Sequence, residues 1–257
     1  VNTATAGPRT IDALMNVLVS DPGRPRLTWY GDDGERVELS GAVLANWVNK
    51  TTNLLVEEFD AGAGRRILID LVPHWRSAVW VLGALRCGAT AVLAGPGGRT
   101  PDGHDPDVTI TTRPAAHTGD VVAVALPALA RRFDGDLPPG TIDAASAVMT
   151  YADTVGWAPA TDPGEPAIVA PAATAPVQGV LFGDLFGWAS GAEPRGRVLL
   201  DGRAPLVETL RSMLGAWSAG GSVVLTSAAT ATALAGDPAR LTRLVAQEGV
   251  TVTPSGR

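Results

Sequence analysis

The chain has 257 residues, a formal net charge of −6, 46% hydrophobic and 18% charged residues, which excludes a disordered chain and suits one large or two small globular domains. Lys50 is its only lysine and no basic run occurs, which argues against nucleic acid and an anionic membrane surface as partners. The single cysteine, Cys87, cannot form an internal disulfide, and no metal-binding pattern accompanies it, so a reducing, cytoplasmic setting is expected.

The N-terminal residues lack the basic segment and apolar core of a signal peptide. Thr10 to Val19 carries apolar residues at helical spacing behind a threonine that can cap them. Two β-like runs then flank Gly31-Asp32-Asp33-Gly34, which reads as a hairpin. Ser40 to Phe59 is predicted as an amphipathic helix, ended by Gly62 and Gly64. Arg66 to Gly95, "RILIDLVPHWRSAVWVLGALRCGATAVLAG", has the pattern of a βαβ unit: two fully apolar runs on either side of a helix, as expected of parallel strands buried on both faces. The stretch from Gly95 to Asp107 is predicted as loop. Val108 to Thr112 and Val121 to Leu126 are further strand candidates, and Ile142 to Met149 a short helical patch in a Pro-, Asp- and Gly-rich region. The seam between two halves is placed there, near residue 160.

Ala167 to Leu181, "AIVAPAATAPVQGVL", reads as a strand, a small-residue loop and a return to apolar sequence. Arg197 to Ser227, "RVLLDGRAPLVETLRSMLGAWSAGGSVVLTS", repeats the punctuation of the earlier βαβ unit, with the same Arg-apolar-Asp opening, a helix, a Gly break and a Val-rich strand. Pro238 to Glu248 is predicted as a helix and Val250 to Thr253 as a last strand. The apolar runs at 79–98 and 167–192 are broken by Arg86 and Asp184, so no transmembrane helix is expected.

These segments resemble the adenylate-forming (AMP-binding) enzymes: acyl-CoA synthetases, luciferases and the adenylation domains of peptide synthetases. "LVPHWRSAVWVLGALRCGATAVLAG" is similar to the family's early strand, proline loop, helix and strand. "IVAPAATAPVQGVLFGDL" falls where the family carries a phosphate loop of the form Ser-Gly-Thr-Thr-Gly-x-Pro-Lys-Gly-Val. "LLDGRAPLVETLRSMLGAWSAGGSVVLTS" and "DPARLTRLVAQEGVTVTPS" look like the two segments that follow, in the same order and spacing. The resemblance spans nearly the whole chain, and within the family it is similar in particular to short actinobacterial relatives. It implies an α/β fold of mostly parallel sheet flanked by helices, in two similar halves at 1–160 and 161–257, matching the front part of the family's N-terminal domain. The family's later adenine- and ribose-binding segments, and its C-terminal domain with a catalytic lysine, have no counterpart in these 257 residues.

The phosphate loop departs from the family pattern. On the natural alignment Ala172 and Ala173 stand at the first Gly and Thr, Ala175 replaces the next Gly, Val177 the Pro and Gln178 the Lys, while Thr174, Gly179 and Val180 match. A phosphate loop works through backbone N–H groups, hydroxyls and a cation. Alanines approach the phosphates less closely than glycines, Pro176 removes an N–H, and Gln178 offers only a neutral amide. Losing one charge-assisted contact costs roughly 1.5–3 kcal/mol, or about one to two orders of magnitude in affinity.

Other signals are weaker. Gly95-Pro96-Gly97-Gly98 lacks the following helix that a dinucleotide fingerprint needs. His74 follows a strand and is a candidate cleft residue, with packing the favoured reading. His104 and His117 lie in loops without metal-ligand partners. Thr118-Gly119-Asp120 reads as a turn before a strand. Cys87 reads as a buried structural thiol. Asp201 and Arg203 follow a strand and are the other candidate cleft residues, although acids at a helix start more often cap or face solvent.

The sequence therefore predicts a pseudoenzyme: a non-catalytic relative acting as a binding or regulatory protein, with a small apolar or nucleotide-like ligand in a cleft between the halves and no cofactor. One alternative is an AMP-forming acyl or amino-acid ligase completed by another chain, which would use ATP and Mg²⁺. Another is a structural interaction protein. Homo-oligomerisation or a protein partner is expected from apolar surface that further domains cover in the family. Fold alone does not carry the activity.

Overall fold

The structure, a computed structural model, describes residues 7–172, 177–193 and 195–253. The chain falls into two compact units, Val1–Leu44 with Gly183–Arg257, and Ala45–Phe182. This division does not follow the seam expected near 160. Residues after it still add strands to the sheet begun by the central βαβ unit, whereas the N-terminal hairpin joins the C-terminal strands.

In the first unit, α1 (Ile11–Val19) begins at Thr10, whose hydroxyl accepts from the Ala13 N–H at 3.1 Å. The predicted hairpin is β1 (Pro25–Tyr30) and β2 (Arg36–Ser40), antiparallel with Trp29 opposite Val37. α2 (Gly41–Phe59) follows and runs into the second unit. The second βαβ unit appears as β10 (Arg197–Leu200), α6 (Leu206–Ser218) and β11 (Ser222–Thr226). The sheet order is β10-β11-β1-β2, with β1 and β10 both parallel to β11. Leu27, Val223, Val224 and Leu225 are fully buried in it. α7 (Ala228–Ala235), absent from the sequence reading, starts at Ser227, and α8 (Pro238–Gln247) follows it. The last predicted strand, Val250 to Thr253, is a single parallel bridge between Val252 and Val198.

Two buried charges tie this unit together. Arg26, 2% exposed, donates to the carbonyls of Val17 and Leu18 at the end of α1 and of Gly220 and Gly221 after α6, at 2.8–3.1 Å. A guanidinium suits such helix C-termini because their last carbonyls lack intrahelical partners. Glu248 accepts from the Tyr30 hydroxyl at 2.5 Å, Arg36 at 3.0 Å and Arg197 at 2.7 Å. Burial pushes its carboxyl up, and these hydrogen bonds with the Arg36 charge outweigh burial and hold it below the ordinary glutamate value.

The second unit is built on β3 (Arg66–Asp70), α3 (Trp75–Arg86) and β4 (Thr90–Leu93), the predicted βαβ unit. β5 (Val108–Thr111), β6 (Asp120–Ala123), β7 (Ile142–Asp143), β8 (Pro166–Ala170) and β9 (Gln178–Leu181) complete a sheet of order β7-β6-β5-β3-β4-β8-β9, parallel except for β9. The helical patch expected from Ile142 is β7 followed by α4 (Ala144–Ala147), and α5 (Leu185–Trp188) in the first unit completes the helices. α2 and α3 approach closely at Gly83, where an added Cβ would lie 2.7 Å from the Thr51 methyl. Arg76 stacks over Trp75 at 4.3 Å and Trp47 at 5.3 Å. Cys87 is fully buried at the end of α3, and burial pushes its thiol up to about 11, so it is an inert structural thiol. Among the described residues no helix is long and apolar enough to cross a membrane.

Candidate functional site

Ligands in open α/β sheets sit outside the carboxyl ends of the strands, where the strand order reverses. In the second unit β4 lies on one side of β3 and β5 on the other, so the reversal falls between β3 and β5. Their last residues, Asp70 and Thr111, are register partners. The Asp70 carboxylate, 10% exposed, accepts from the Thr111 hydroxyl at 2.8 Å, from Arg113 through both oxygens at 3.0 Å, and from His117 Nε2 at 3.0 Å. Burial pushes this carboxyl up, but the hydrogen bonds from Thr111, His117 and Arg113 and the Arg113 charge outweigh it and hold the group below the ordinary aspartate range. An ionised Asp70 can only accept, so His117 Nε2 carries the hydrogen.

The glycine-rich loop after β4 closes over this cluster. Gly98 has φ +76°, and a Cβ there would meet Arg113 Nη2 at 2.7 Å and Asp70 Oδ2 at 2.9 Å. Only glycine fits both the left-handed backbone and the close approach. The sequence alone does not mark this cluster, because His117 and Gly95–Gly98 lie in loops that only the fold brings to Asp70. The turn expected at Thr118-Gly119-Asp120 is present: Gly119 has φ +84° and β6 starts at Asp120.

The residues expected at the phosphate-loop position are distributed as follows. Ala172 follows β8, while Ala173, Thr174 and Ala175 lie outside the described residues. Gln178 and Gly179 stand in β9, opposite Ala170 and Val169 of β8. No lysine or arginine occurs between Arg132 and Arg195, and every charged residue in that interval is an aspartate or glutamate.

The three candidate cleft residues have structural partners. His74 is 3% exposed and caps α3, its Nδ1 accepting from the Arg76 N–H at 3.1 Å. Burial, with the Arg76 charge, pulls it down to about 3, so it is neutral at physiological pH. Asp201 accepts from Arg203 through both side-chain oxygens, at 2.9 and 3.1 Å from Nε, and from the Arg203 N–H at 2.9 Å. The hydrogen bond from the Arg203 side chain, against a smaller effect of burial, lowers the Asp201 carboxyl. Asp201 and Arg203 belong to the first unit and His74 to the second.

No family model matches the chain. It is 34% identical over 259 residues to a TIGR03089 family protein of Mycobacterium tuberculosis (strain H37Rv), with 93% of this chain and 94% of that protein covered. Among solved structures it is similar to an acyl-CoA synthetase of Brucella canis, with a TM-score of 0.69 at 15% identity over 93% of this chain and 46% of the synthetase. It is also similar to VinN in complex with L-aspartate, with a TM-score of 0.67 at 16% identity over 97% of this chain and 67% of VinN. A fatty acid AMP ligase from Legionella pneumophila gives 0.65 at 14% identity over 96% of this chain and 44% of the ligase. The chain thus spans less than half the length of the synthetase and of the fatty acid ligase, and at these identities the likeness is one of fold. With a third of its residues shared over nearly its whole length, the chain belongs to the TIGR03089 family, and its α/β fold is that of the N-terminal domain of adenylate-forming ligases.

Proposed function

We propose that the protein is a non-catalytic relative of the adenylate-forming ligases, a cytoplasmic pseudoenzyme that binds an acyl or nucleotide-like ligand without activating it with ATP. The β8–β9 connection carries this reading. Where the resemblance places the lysine of the phosphate loop, β9 presents Gln178, and the sequence from Arg132 to Arg195 supplies acids and no base. A triphosphate needs its charge met by donors and cations at close range. A neutral amide meets it with one weak donor, and the lost charge-assisted contact alone costs roughly 1.5–3 kcal/mol.

The direct test is ATP–pyrophosphate exchange with Mg²⁺ and the acids named for the fold neighbours: L-aspartate, 3-methylaspartate and fatty acids. The proposal expects no substrate-dependent exchange above the blank. Exchange that depends on an added acid, and that is lost when Gln178 is changed to Ala, overturns it in favour of a working ligase.

A further inference from the structure

The Asp70 cluster is independent of the β8–β9 connection and has the features of a binding site. Asp70 accepts from Thr111 and His117 through Oδ2 and from Arg113 Nη2 through both oxygens, so it is held by three side chains. It is a positioning group. What it positions is the other side of His117 and of Arg113. In the neutral ring, with the hydrogen on Nε2, His117 Nδ1 is a lone-pair acceptor. It has no partner among the described residues, and the His117 side chain is 11% exposed. Arg113 places a single nitrogen, Nη2, on Asp70, and its side chain is 53% exposed. The rest of its donor fork is directed to no described side chain. One acceptor and several charged donors are therefore fixed on the same carboxylate, beneath the Gly97–Gly98 loop and at the point of strand reversal.

The complement of that pattern is an oxyanion that still carries one O–H. We propose that His117 and Arg113 bind a phosphate group that keeps one O–H, free phosphate or the singly protonated form of a phosphomonoester. The phosphoryl O–H donates to His117 Nδ1, and the anionic oxygens accept from Arg113. A cluster serving only to join β3 to β5 would need the Nε2 contact alone and would show no preference among oxyanions. The proposed site does show one. Sulfate has no O–H at neutral pH and sets a lone pair against the lone pair of Nδ1, so phosphate is bound and sulfate is refused.

The test uses the whole chain with ¹⁵N-labelled histidine. Only His74, His104 and His117 contribute; His104, with a 76% exposed side chain, gives the non-specific baseline, and buried His74 reports whether the fold is intact. Inorganic phosphate at pH 7 is expected to shift His117 Nδ1 saturably, with half-saturation at least about tenfold below that of sulfate, the difference made by one hydrogen bond to a charged group. The shift is expected to vanish in Arg113→Gln, which keeps a donor for Asp70, while the His74 signals stay in place. Displacement of phosphate by glycerol phosphate assigns the site to monoesters, and failure to displace assigns it to free phosphate. A His117 response no larger than that of His104, or an equal response to sulfate, overturns the proposal.

Discussion

His74 shows how one side chain makes stability depend on pH. Its Nδ1 accepts the cap hydrogen bond of α3, so a proton on that nitrogen removes the acceptor and adds a charge beside Arg76. In the folded chain burial pulls the group down from 6.5 to about 3, so between those values the unfolded chain binds the proton and the folded chain does not. Stability from this residue is therefore complete above about pH 6.5 and declines as the pH falls, by up to about 1.4 kcal/mol per pH unit. Urea melts at intervals from pH 7 to 5 follow it above the titration of Asp70 and Glu248, and the comparison with a His74 variant separates it from the other histidines. His74→Asn keeps a capping side chain that does not titrate and is expected to flatten that slope; an unchanged slope refutes the assignment. Arg26 makes a second case. Replacing it with Met leaves the carbonyls of Val17, Leu18, Gly220 and Gly221 without their donor and is expected to cost at least about 2 kcal/mol in the same melts.

At the scale of elements, the local pattern was readable wherever the apolar run and its punctuation agreed. β3, α3 and β4 follow from two continuous apolar runs and a Cys-Gly break, and β10, α6 and β11 from the same grammar. α7 was missed because "AATATALA" has almost no polar face and therefore no helical period to detect. The candidate site was missed for another reason. Asp70 meets Thr111, Arg113 and His117 across sequence separations of 41, 43 and 47 residues, and only the parallel register of β3 with β5 brings them together. The available signal was the polar residue that ends each apolar run, Asp70 and Thr111, since parallel strands bring such ends to one edge. Gly98 tests the loop that covers them. Gly98→Ala forces a side chain into a left-handed backbone and against Arg113 and Asp70, and is expected to destabilise by about 1–3 kcal/mol and to disturb the His117 imidazole resonances. A neutral substitution would show that the loop does not cover the cluster.

At the scale of the whole molecule, the α/β class and the likeness to adenylate-forming enzymes were legible, because four segments kept their order and punctuation over most of the chain. The assignment of strands to sheets was not. β1 pairs with β11 some two hundred residues later in the chain, and no local pattern records a pairing of that kind. β8 and β9 likewise join the sheet of β3 and β4, so the boundary drawn near 160 cut through one sheet. The central functional claim rests on sequence and structure together: β9 is present, and the neutral amide of Gln178 stands in it where the resemblance places a lysine.

Calorimetric titration with ATP and Mg²⁺, on the natural chain and on Gln178→Lys, tests that claim most directly. The account predicts no saturable heat from the natural chain at millimolar ATP, and a gain of binding in the variant of about one to two orders of magnitude if the connection keeps its shape. Micromolar binding of ATP by the natural chain would contradict it.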